Sequence, residues 1–489
     1  YTSTMAPAET EKSITLPPTH FVLVPLMGQG HTTPMADLAC LIAGRGVRVS
    51  LVTTPVNAAR LRGLADRARS AMLPLEIVEL PFPPAHDGLP RGSSDNSDSV
   101  LQLFLSLYRL AGPLEAYVRS LPWRPSCIIS DSCNPWTVGV ARSLGVPRLT
   151  FTGPSCFYSL CDFNVAKHGL LHRGDDHTCV VPGMPVRVDL SKDTWAAAFL
   201  TCIPAWGKFV EEVREGIRMA DGAVVNTFLG LEEQFVACYE AALGKPVWAP
   251  GPFFLNSRNE EARTVNQSAV TAWLDKMDQS TVVYVSFGSL AQMLPKQLYE
   301  IGHGLEDSGK PFLWVVKESE TVLPEAKEWL QALETRTARH GLVVHGWAPQ
   351  VAILSHRAVG GFMTHCGWNS LLESVAQGVP VVTWPHFGDQ FLNERLAVDV
   401  LGVGVPVRPF DGEKAVDLVV RGHIARAVSE LMGDGAVAEE RRRKCKEYRE
   451  RAHGAMAKGG SSHGNLTLLL RSFMRSGSKE QVNSVCSAR

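Results

Sequence analysis

The amino-acid sequence predicts an α/β protein made of two doubly wound domains that face each other across a ligand cleft. Short apolar runs rich in β-branched residues alternate with amphipathic stretches of helical length along the chain. This alternation is interrupted by a polar stretch at 256–268 and then restarts. The length of 489 residues also exceeds that of an ordinary single domain. We therefore predict an N-terminal domain at 5–253, a second domain at 254–462, and a helix at 463–475 that returns to the N-terminal domain.

Five buried strands are predicted in the N-terminal half. The first, at 20–26, leads into a helix for which Thr33 is the expected N-cap, Pro34 a first-turn residue and Gly46 the end. Uninterrupted apolar runs of this length are typical of parallel strands that helices cover on both faces. The other four strands are expected at 47–53, 127–130, 147–151 and 223–227.

The C-terminal half repeats the pattern with five further strands. They are expected at 281–287, 312–316, 341–345, 360–363 and 379–383. Ligands of open parallel sheets bind at the carboxyl ends of the strands, so polar residues that directly follow these strands are candidates for a site. Two such sheets that face each other would each supply one side of a cleft.

Charge and cysteine content restrict the partners. The chain has 48 basic and 49 acidic side chains, and its formal net charge of −1 gives no field that would attract a nucleic acid. Eleven cysteines occur without a CxxC pair or a metal-ligand spacing, which favours reduced thiols and no metal site. The apolar runs are too short for a membrane span, and no secretory signal is recognisable. We expect a cytoplasmic monomer without stable membrane insertion.

The stretch at 347–390 has the features of a diphosphate and sugar site. A glycine turn between the strand at 360–363 and the following helix directs free backbone N–H groups at the cleft, which suits a diphosphate. Side chains that could add contacts are Trp347 for a base, His365, Asn369 and Ser370 for phosphate, Glu373 for ribose, and Asp389 and Gln390 for a sugar. Structural interpretations remain open: Trp347 as a core residue, His365 as a loop histidine and Glu373 as an exposed helix residue.

These 44 residues closely resemble the signature box of plant family 1 UDP-dependent glycosyltransferases. The similarity extends to a histidine-bearing loop near the start, to the segment at 81–92, to SFGS at 286–289 and to the overall length. It implies the GT-B fold of two Rossmann-like domains, and an inverting, metal-independent transfer that uses a UDP-sugar as co-substrate and no cofactor. Family members glycosylate flavonoids, other phenolics, terpenoids and steroids. We therefore predict transfer of glucose from UDP-glucose to a small apolar acceptor, which gives a β-glucoside.

The resemblance also implies a role for each polar position of the signature box. The implied contacts are Trp347, Ala348 and Gln350 for uracil, Glu373 for ribose, His365, Asn369, Ser370 and Ser289 for the diphosphate, and Trp368, Asp389 and Gln390 for the sugar. In resembling enzymes a glutamine at the last position accompanies glucose, and a histidine accompanies galactose. We expect the Gln390 amide to donate to one sugar hydroxyl and accept from its neighbour.

His31 is the candidate for the base that deprotonates the acceptor hydroxyl, and the family's catalytic histidine falls at its position. It follows the first strand at the expected start of a helix, where the helix dipole disfavours the imidazolium and keeps the ring available as a base. Asp131 follows the strand at 127–130 and matches the family's catalytic aspartate. If the two strands are adjacent, its carboxylate can fix the ring tautomer and stabilise the developing charge. Read alone, either residue could be structural.

The acceptor is expected against loops of the N-terminal half. That half supplies aromatic side chains and no charged patch, so a planar or fused-ring phenol or alcohol is the predicted substrate. Each candidate for the apolar wall could equally be a core residue. These candidates are Phe82, Phe151, Phe157, Tyr158 and Trp195.

Three other functions are disfavoured by the sequence. A UDP-sugar-binding protein without transfer activity is disfavoured because both His31 and Asp131 are present. An NAD-dependent oxidoreductase is suggested by Gly-Gln-Gly at 28–30, but Thr33 stands at the third glycine position, and no acid ends the strand at 47–53. A serine hydrolase is disfavoured because the sequence contains no GxSxG motif.

Overall fold

The computed structural model describes residues 18–82, 97–170, 178–191, 204–256, 269–291, 293–408 and 418–474. Trp195 lies outside these ranges, as does most of the segment at 81–92. The described residues contain a seven-stranded sheet, a six-stranded sheet and a two-stranded hairpin.

The N-terminal sheet is formed by parallel strands. These are β1 (His20–Val24), β2 (Arg48–Thr53), β3 (Leu75–Glu79), β4 (Cys127–Asp131), β5 (Arg148–Thr152), β8 (Gly222–Val225) and β9 (Val247–Trp248). Their order is β3-β2-β1-β4-β5-β8-β9, so the direction of winding reverses between β1 and β4. Phe21 and Leu23 enter one apolar cluster and Val22 and Val24 another, so both faces of β1 are covered.

The C-terminal sheet repeats this winding, again with parallel strands. It contains β10 (Val282–Ser286), β11 (Phe312–Val316), β12 (Gly341–His345), β13 (Val359–Thr364), β14 (Val381–Thr383) and β15 (Gly404–Pro406). The order is β12-β11-β10-β13-β14-β15, which reverses between β10 and β13. The antiparallel hairpin pairs β6 (Thr178–Val180) with β7 (Asp189–Ser191).

Helices connect the strands of both sheets. Those of the N-terminal half are α1 (Gln29–Ala43), α2 (Pro55–Arg60), α3 (Arg62–Ser70), α4 (Ser97–Ser106), α5 (Ala111–Ser120), α6 (Thr137–Leu144), α7 (Cys156–Lys167), α8 (Pro204–Arg218) and α9 (Leu229–Leu243). Those of the C-terminal half are α10 (Ala269–Leu274), α11 (Pro295–Asp307), α12 (Pro324–Thr337), α13 (Gln350–Leu354), α14 (Trp368–Gln377), α15 (Gln390–Arg395), α16 (Arg421–Met432), α17 (Ala436–Met456) and α18 (Ser461–Phe473). Tighter 3₁₀ turns occur at Leu107–Leu110, Phe253–Asn256 and Glu318–Thr321.

Each strand predicted from the sequence is present, with ends within two residues of the predicted ones. The strands that the sequence did not predict are β3, β9, β15 and the hairpin. In β3 only Val78 is buried, so this edge strand contains no continuous apolar run. The strands β9 and β15 are short, with two and three residues.

Helix α1 begins earlier than predicted. Its N-cap is Gly28 rather than Thr33, because the N–H groups of His31 and Thr32 both donate to the Gly28 carbonyl, at 3.0 and 2.8 Å. Pro34 consequently lies inside the helix instead of in its first turn. His31 is the third residue of α1, so its position is fixed by helical hydrogen bonds rather than by a loop.

The last two helices connect the halves of the molecule. Helix α17 contacts α14 in the C-terminal half and α9 in the N-terminal half. Helix α18 packs on the N-terminal sheet, where Leu466 and Leu469 share an apolar cluster with Phe21. The ring of Phe473 also meets Phe21 edge-on, with 6.1 Å between centroids. The C-terminal end of the described chain is therefore part of the N-terminal core.

Candidate active site

A cleft of about 1820 Å³ lies at the carboxyl ends of both sheets. Its lining includes His31 after β1, Cys133 after β4, Ser289 after β10 and His365 after β13. These are the strands at which the order of each sheet reverses, so the connections on either side diverge and leave a crevice. The topology therefore brings candidate residues of both halves to one place.

His31 and Asp131 form a hydrogen-bonded pair on the N-terminal side of the cleft. Because β1 and β4 are neighbours, with Val24 opposite Ser130, the residues that follow them come together. The His31 Nδ1 and Asp131 Oδ2 atoms are 2.8 Å apart, and the side chain of Asp131 is fully buried while that of His31 is 31% exposed. The second carboxylate oxygen accepts from the Cys133 N–H at 2.9 Å.

This contact fixes the tautomer and the basicity of His31. An ionised carboxylate can only accept, so Nδ1 carries the proton and Nε2 keeps a free lone pair. Burial lowers the pKa of His31, but the charge and hydrogen bond of Asp131, with the charge of Asp389, together raise it above its ordinary value. The net direction is opposite to the lowering expected from the helix N-terminus, because the neighbouring carboxylates raise the pKa.

Trp347 follows β12 in the C-terminal wall of the cleft. Its side chain is 68% exposed and lines the cleft, so the interpretation of Trp347 as a core residue is wrong. Ala348, the next residue, is buried. A flat, exposed ring at the wall of a cleft can stack on a nucleobase.

Gln350, Ser370 and Glu373 form a hydrogen-bonded group in the same wall. The Gln350 Nε2 donates to Ser370 Oγ at 3.0 Å and to Glu373 Oε2 at 2.8 Å. The Tyr284 hydroxyl donates to Gln350 Oε1 at 3.5 Å. These bonds hold the Glu373 carboxylate against the cleft, where it can accept from hydroxyl groups. Glu373 is therefore not the freely exposed helix residue of the alternative interpretation.

His365 lies in a turn that requires small neighbours. Cys366 has a left-handed φ of 64°, and Gly367 caps α14. A Cβ atom on Gly288 would lie 2.6 Å from the His365 ring, and one on Gly367 would lie 2.5 Å from it. The imidazole is thus held between two glycines at the start of α14.

Basic groups surround this turn. His365 Nδ1 and His386 Nε2 are buried without a hydrogen-bond partner among the described residues. Burial lowers the pKa of His365 to about 3 and that of His386 to about 4, and the charge of Lys317 contributes to both. Lys317 Nζ itself lies 3.6 Å from a carboxylate oxygen of Glu320. Both imidazoles are therefore uncharged near neutral pH, and an anionic ligand is favoured by the Lys317 charge and the free N–H groups of the first turn of α14.

Asp389 and Gln390 lie at the start of α15 and line the cleft. Burial raises the pKa of Asp389 to about 6, and its Oδ2 accepts from Asn393 Nδ2 at 2.7 Å. Gln390 Oε1 accepts from the N–H groups of His386 and Phe387, at 2.9 and 3.1 Å. Both lone pairs of that oxygen are used within the protein, so only the Gln390 amide N–H groups remain for a ligand. The expectation that Gln390 also accepts from a sugar hydroxyl does not hold.

Trp368 and Asn369 connect the signature box to the N-terminal half. Trp368 is 4% exposed, and its indole Nε1 donates to the Asn226 carbonyl at 2.9 Å. Its ring is therefore part of the wall between the halves, and its polar atom is not available to a sugar. The Asn369 Nδ2 donates to the Gly30 carbonyl at 2.6 Å, next to His31.

Known proteins resemble this chain over nearly its whole length. Residues 258–411 match the family described as UDP-glucoronosyl and UDP-glucosyl transferase. The sequence is 39% identical to UDP-glycosyltransferase 73C3 of Arabidopsis thaliana over 483 aligned residues. The alignment covers 94% of this chain and 97% of that protein. The chain belongs to the UDP-glycosyltransferase family.

Solved structures of plant UDP-glycosyltransferases share the fold. UGT73P12 of Glycyrrhiza uralensis, solved with glycyrrhetinic acid 3-O-monoglucuronide, matches with a TM-score of 0.85 and 31% identity over 96% of this chain and 99% of that one. UGT2 of Phytolacca americana, solved with UDP-2fluoro-glucose and pterostilbene, matches with a TM-score of 0.76 and 29% identity over 94% of this chain and 100% of that one. The predicted GT-B fold, and the prediction of an enzyme that transfers a sugar from a UDP-sugar to an acceptor, are confirmed.

The N-terminal wall of this glycosyltransferase differs from the predicted acceptor wall. Phe151 and Phe157 are fully buried core residues, because elements on both sides cover β5 and α7. Phe82 is also buried, in the apolar cluster on the other face of the sheet. Among the acceptor candidates within the described ranges, Tyr158 alone lines the cleft.

Aromatic residues of α4 and α8 form much of this wall instead. Phe104 meets Trp206 edge-on at 5.5 Å and Phe209 at 5.4 Å between ring centroids. Trp206, Phe209 and Val213 recur at helical spacing on one face of α8, and all of them line the cleft. This periodicity is the sequence signal by which the wall could have been found.

A charged pair interrupts the apolar wall. Arg214 in α8 binds Asp162 in α7 through two hydrogen bonds, of 2.6 and 3.3 Å. The side chains are 11% and 19% exposed, and both line the cleft. The pair is nearly neutral as a unit, yet it offers both donors and acceptors to a polar group of a ligand.

The part of the enzyme that the structure describes contains nine cysteines, all of them free thiols. Within these residues no group of three or more His, Cys, Asp or Glu side chains is arranged to hold a metal ion. None of the helices in the same ranges combines the length and the hydrophobicity that crossing a bilayer requires.

Proposed function

We propose that this enzyme transfers glucose from UDP-glucose to a hydroxyl group of a small apolar acceptor, with inversion and without a metal or cofactor. The observation that carries the proposal is the His31–Asp131 pair, 2.8 Å apart, in the same cleft as the start of α14. One wall supplies a base for the acceptor, and the other supplies N–H groups for the leaving diphosphate. A cleft that holds both substrates converts their encounter into a reaction within one complex.

His31 acts as the general base in this mechanism. Its Nε2 takes the proton of the acceptor hydroxyl while the hydroxyl oxygen attacks the anomeric carbon, and Asp131 stabilises the imidazolium that forms. The bond between the anomeric carbon and the UDP oxygen breaks on the opposite face. UDP leaves as an anion, and the α-linked donor gives a β-linked glucoside. The proton then passes from His31 to solvent.

The UDP part of the donor is assigned to the C-terminal wall. Uracil stacks on the exposed ring of Trp347, with Ala348 and Gln350 at its edge, and Glu373 accepts from the ribose hydroxyls. The buried, unpartnered Nδ1 of His365 supports a polar ligand at this turn. The diphosphate contacts are assigned to His365, Asn369, Ser370 and Ser289.

Glucose is proposed as the sugar because Asp389 and Gln390 offer complementary groups side by side. The Asp389 carboxylate accepts from one hydroxyl, and the Gln390 amide donates to its neighbour. Trp368 forms the wall behind them. The related Phytolacca americana enzyme was solved with UDP-2fluoro-glucose, which supports a glucose donor.

A planar or fused-ring phenol, such as a flavonoid, or a terpenoid or steroid alcohol, is proposed as the acceptor. The aromatic wall of Phe104, Trp206 and Phe209 supplies flat apolar surface in the cleft that His31 also lines. The related enzymes were solved with glycyrrhetinic acid 3-O-monoglucuronide and with pterostilbene. We assign the enzyme to plant secondary metabolism as a monomer in the cytoplasm, where free thiols remain reduced.

The test is incubation with UDP-glucose and a panel of flavonoids, terpenoids and steroids, with products identified by mass. We expect the mass of one glucose residue to be added and UDP to be released in equal amount. The matched control His31→Ala should lower kcat by roughly 10²–10⁴ while UDP affinity changes little. UDP binding without any product would favour the binding-protein alternative, and a change in NADH absorbance would favour an oxidoreductase.

A further inference from the structure

One hydrogen bond joins the two helices that carry the opposing halves of the site. Asn369, in the first turn of α14, donates from Nδ2 to the carbonyl oxygen of Gly30 at 2.6 Å. Gly30 directly precedes His31 in the first turn of α1. The side chain of Asn369, a candidate contact of the diphosphate, is therefore hydrogen-bonded to the backbone turn that carries His31.

Pro34 explains why the Gly30 carbonyl is free to accept this bond. In an α-helix the carbonyl of residue 30 accepts from the N–H of residue 34. A proline has no N–H, and its ring crowds the carbonyl four residues earlier, so this helical bond cannot form at Gly30. Asn369 supplies the missing donor from the other half of the molecule.

The bond is not needed to hold the halves together. Trp368 donates to the Asn226 carbonyl at 2.9 Å, and Ser155 donates to Asn393 Oδ1 at 3.2 Å, and both of these bonds are buried. The bond of Asn369 lies in the exposed surface of the cleft. An exposed hydrogen bond contributes little to the free energy of unfolding, so we expect this bond to affect the position of the first turn of α1 instead.

We propose that Asn369 is a positioning residue that couples the donor diphosphate to His31. The Asn369 amide has two N–H groups, and one of them holds the Gly30 carbonyl. The second donates to a phosphate oxygen of the UDP-sugar, an assignment that rests on the proposed function. One amide thus bridges donor and helix α1, and donor binding fixes the turn from which His31 approaches the acceptor.

The two ends of this bond can be tested independently of each other. Asn369→Ala removes the donor, whereas Pro34→Ala restores a helical N–H that shares the Gly30 carbonyl with Asn369 and weakens their bond. At saturating substrates we expect kcat to fall roughly 10–100-fold in Asn369→Ala and roughly 3–10-fold in Pro34→Ala, since small displacements of a catalytic group cost that much. The double variant should be no slower than Asn369→Ala, because both changes act on the same bond. Pro34→Ala should leave the UDP dissociation constant unchanged.

A matched control is Pro55→Ala, because Pro55 is the first residue of α2, where no helical N–H is required. It should retain wild-type kcat. Losses that add in the double variant, or a Pro34→Ala variant with wild-type kcat, would overturn the coupling. A melting temperature that matches wild type shows that each variant is folded.

Hydrogen exchange of the amides in α1 gives a readout that needs UDP alone. UDP should slow exchange in the first turns of α1 in the wild type and fail to do so in Asn369→Ala. Equal protection in both proteins would contradict the inference. If the wild type transferred no glucose to any acceptor, the proposed function would fail, and this exchange measurement would still decide whether Asn369 couples UDP to α1.

Discussion

Replacing Asp131 by asparagine keeps the size of the side chain but turns one of its two acceptors into a donor. In the wild type one oxygen accepts from the Cys133 N–H at 2.9 Å and the other faces His31 Nδ1 at 2.8 Å. The Cys133 N–H can only donate, so it retains the amide oxygen, and the amide NH₂ is directed at His31. Nδ1 must then accept, the ring proton moves to Nε2, and the base can no longer take a proton from the acceptor.

The expected loss follows from this reversed tautomer. We expect kcat of Asp131→Asn to fall by roughly 10³–10⁴, which corresponds to about 4–5.5 kcal/mol in the activation barrier. Asp131→Ala removes the charge but places no donor against Nδ1, so either tautomer stays accessible. It should therefore be the faster of the two variants, although it removes more of the side chain.

The assay is kcat/KM against pH for the wild type and both variants. His31 must be neutral to act, so activity is lost as pH falls through its pKa. In the wild type this acid limb should lie above the ordinary value of 6.5, because Asp131 raises the pKa. Loss of the carboxylate should move it to lower pH in Asp131→Ala. As a control, Asp221→Asn changes an aspartate that accepts from the Arg148 N–H at 2.8 Å and should retain activity. Equal rates for both Asp131 variants, with an unshifted acid limb, would refute this reasoning.

Other expected outcomes concern the donor wall. Trp347→Ala should weaken UDP binding by about 1–3 kcal/mol in calorimetry, and an unchanged dissociation constant would exclude uracil stacking there. Gln390→Ala should reduce the preference for UDP-glucose over UDP-galactose when both compete, whereas an unchanged ratio would leave Gln390 only its bonds to the preceding loop. Gly288→Ala should weaken UDP binding by roughly tenfold or more, because the new Cβ would lie 2.6 Å from the His365 ring. Gly309→Ala is the control, because Gly309 has a similar positive φ but a Cβ atom there would have no neighbour within 4 Å. Equal losses of UDP affinity in both variants would show that backbone strain alone weakens binding.

The fold was predictable wherever a strand is covered on both faces. In β1, consecutive residues such as Phe21 and Val22 enter different apolar clusters, and the sequence therefore shows a continuous apolar run. In the edge strand β3, glutamates at 76 and 79 interrupt the apolar residues, so the sequence shows no continuous apolar run there. The start of α1 was predicted too late because a threonine followed by a proline, here Thr33 and Pro34, is typical of a helix N-terminus. In the structure the Gly28 carbonyl already accepts the first helical hydrogen bonds.

The donor half of the site was predictable because its candidates, Ser289 excepted, follow successive strands within one contiguous stretch. The acceptor half combines residues of separate helices, and their meeting depends on tertiary packing. Periodicity shows that a helix face is apolar but does not show what covers it. Phe157 is enclosed by α9 and its neighbours, whereas Trp206 and Phe209 border the cleft. Similarly, the identity of Gln390 predicts a donor and an acceptor, and only the structure shows that the acceptor is already used.

The return of α18 to the N-terminal sheet makes the chain pass between the two halves twice, near Phe253–Asn256 and again between α17 and α18. Two covalent crossings restrain the halves against each other. One apolar cluster with members in both halves, among them Phe157 and Trp368, adds to this restraint. The same short segment buries Leu466 and Leu469 against the N-terminal sheet. The core of the N-terminal half therefore depends on residues of the last described helix, which the whole C-terminal half separates in sequence from the rest of that core.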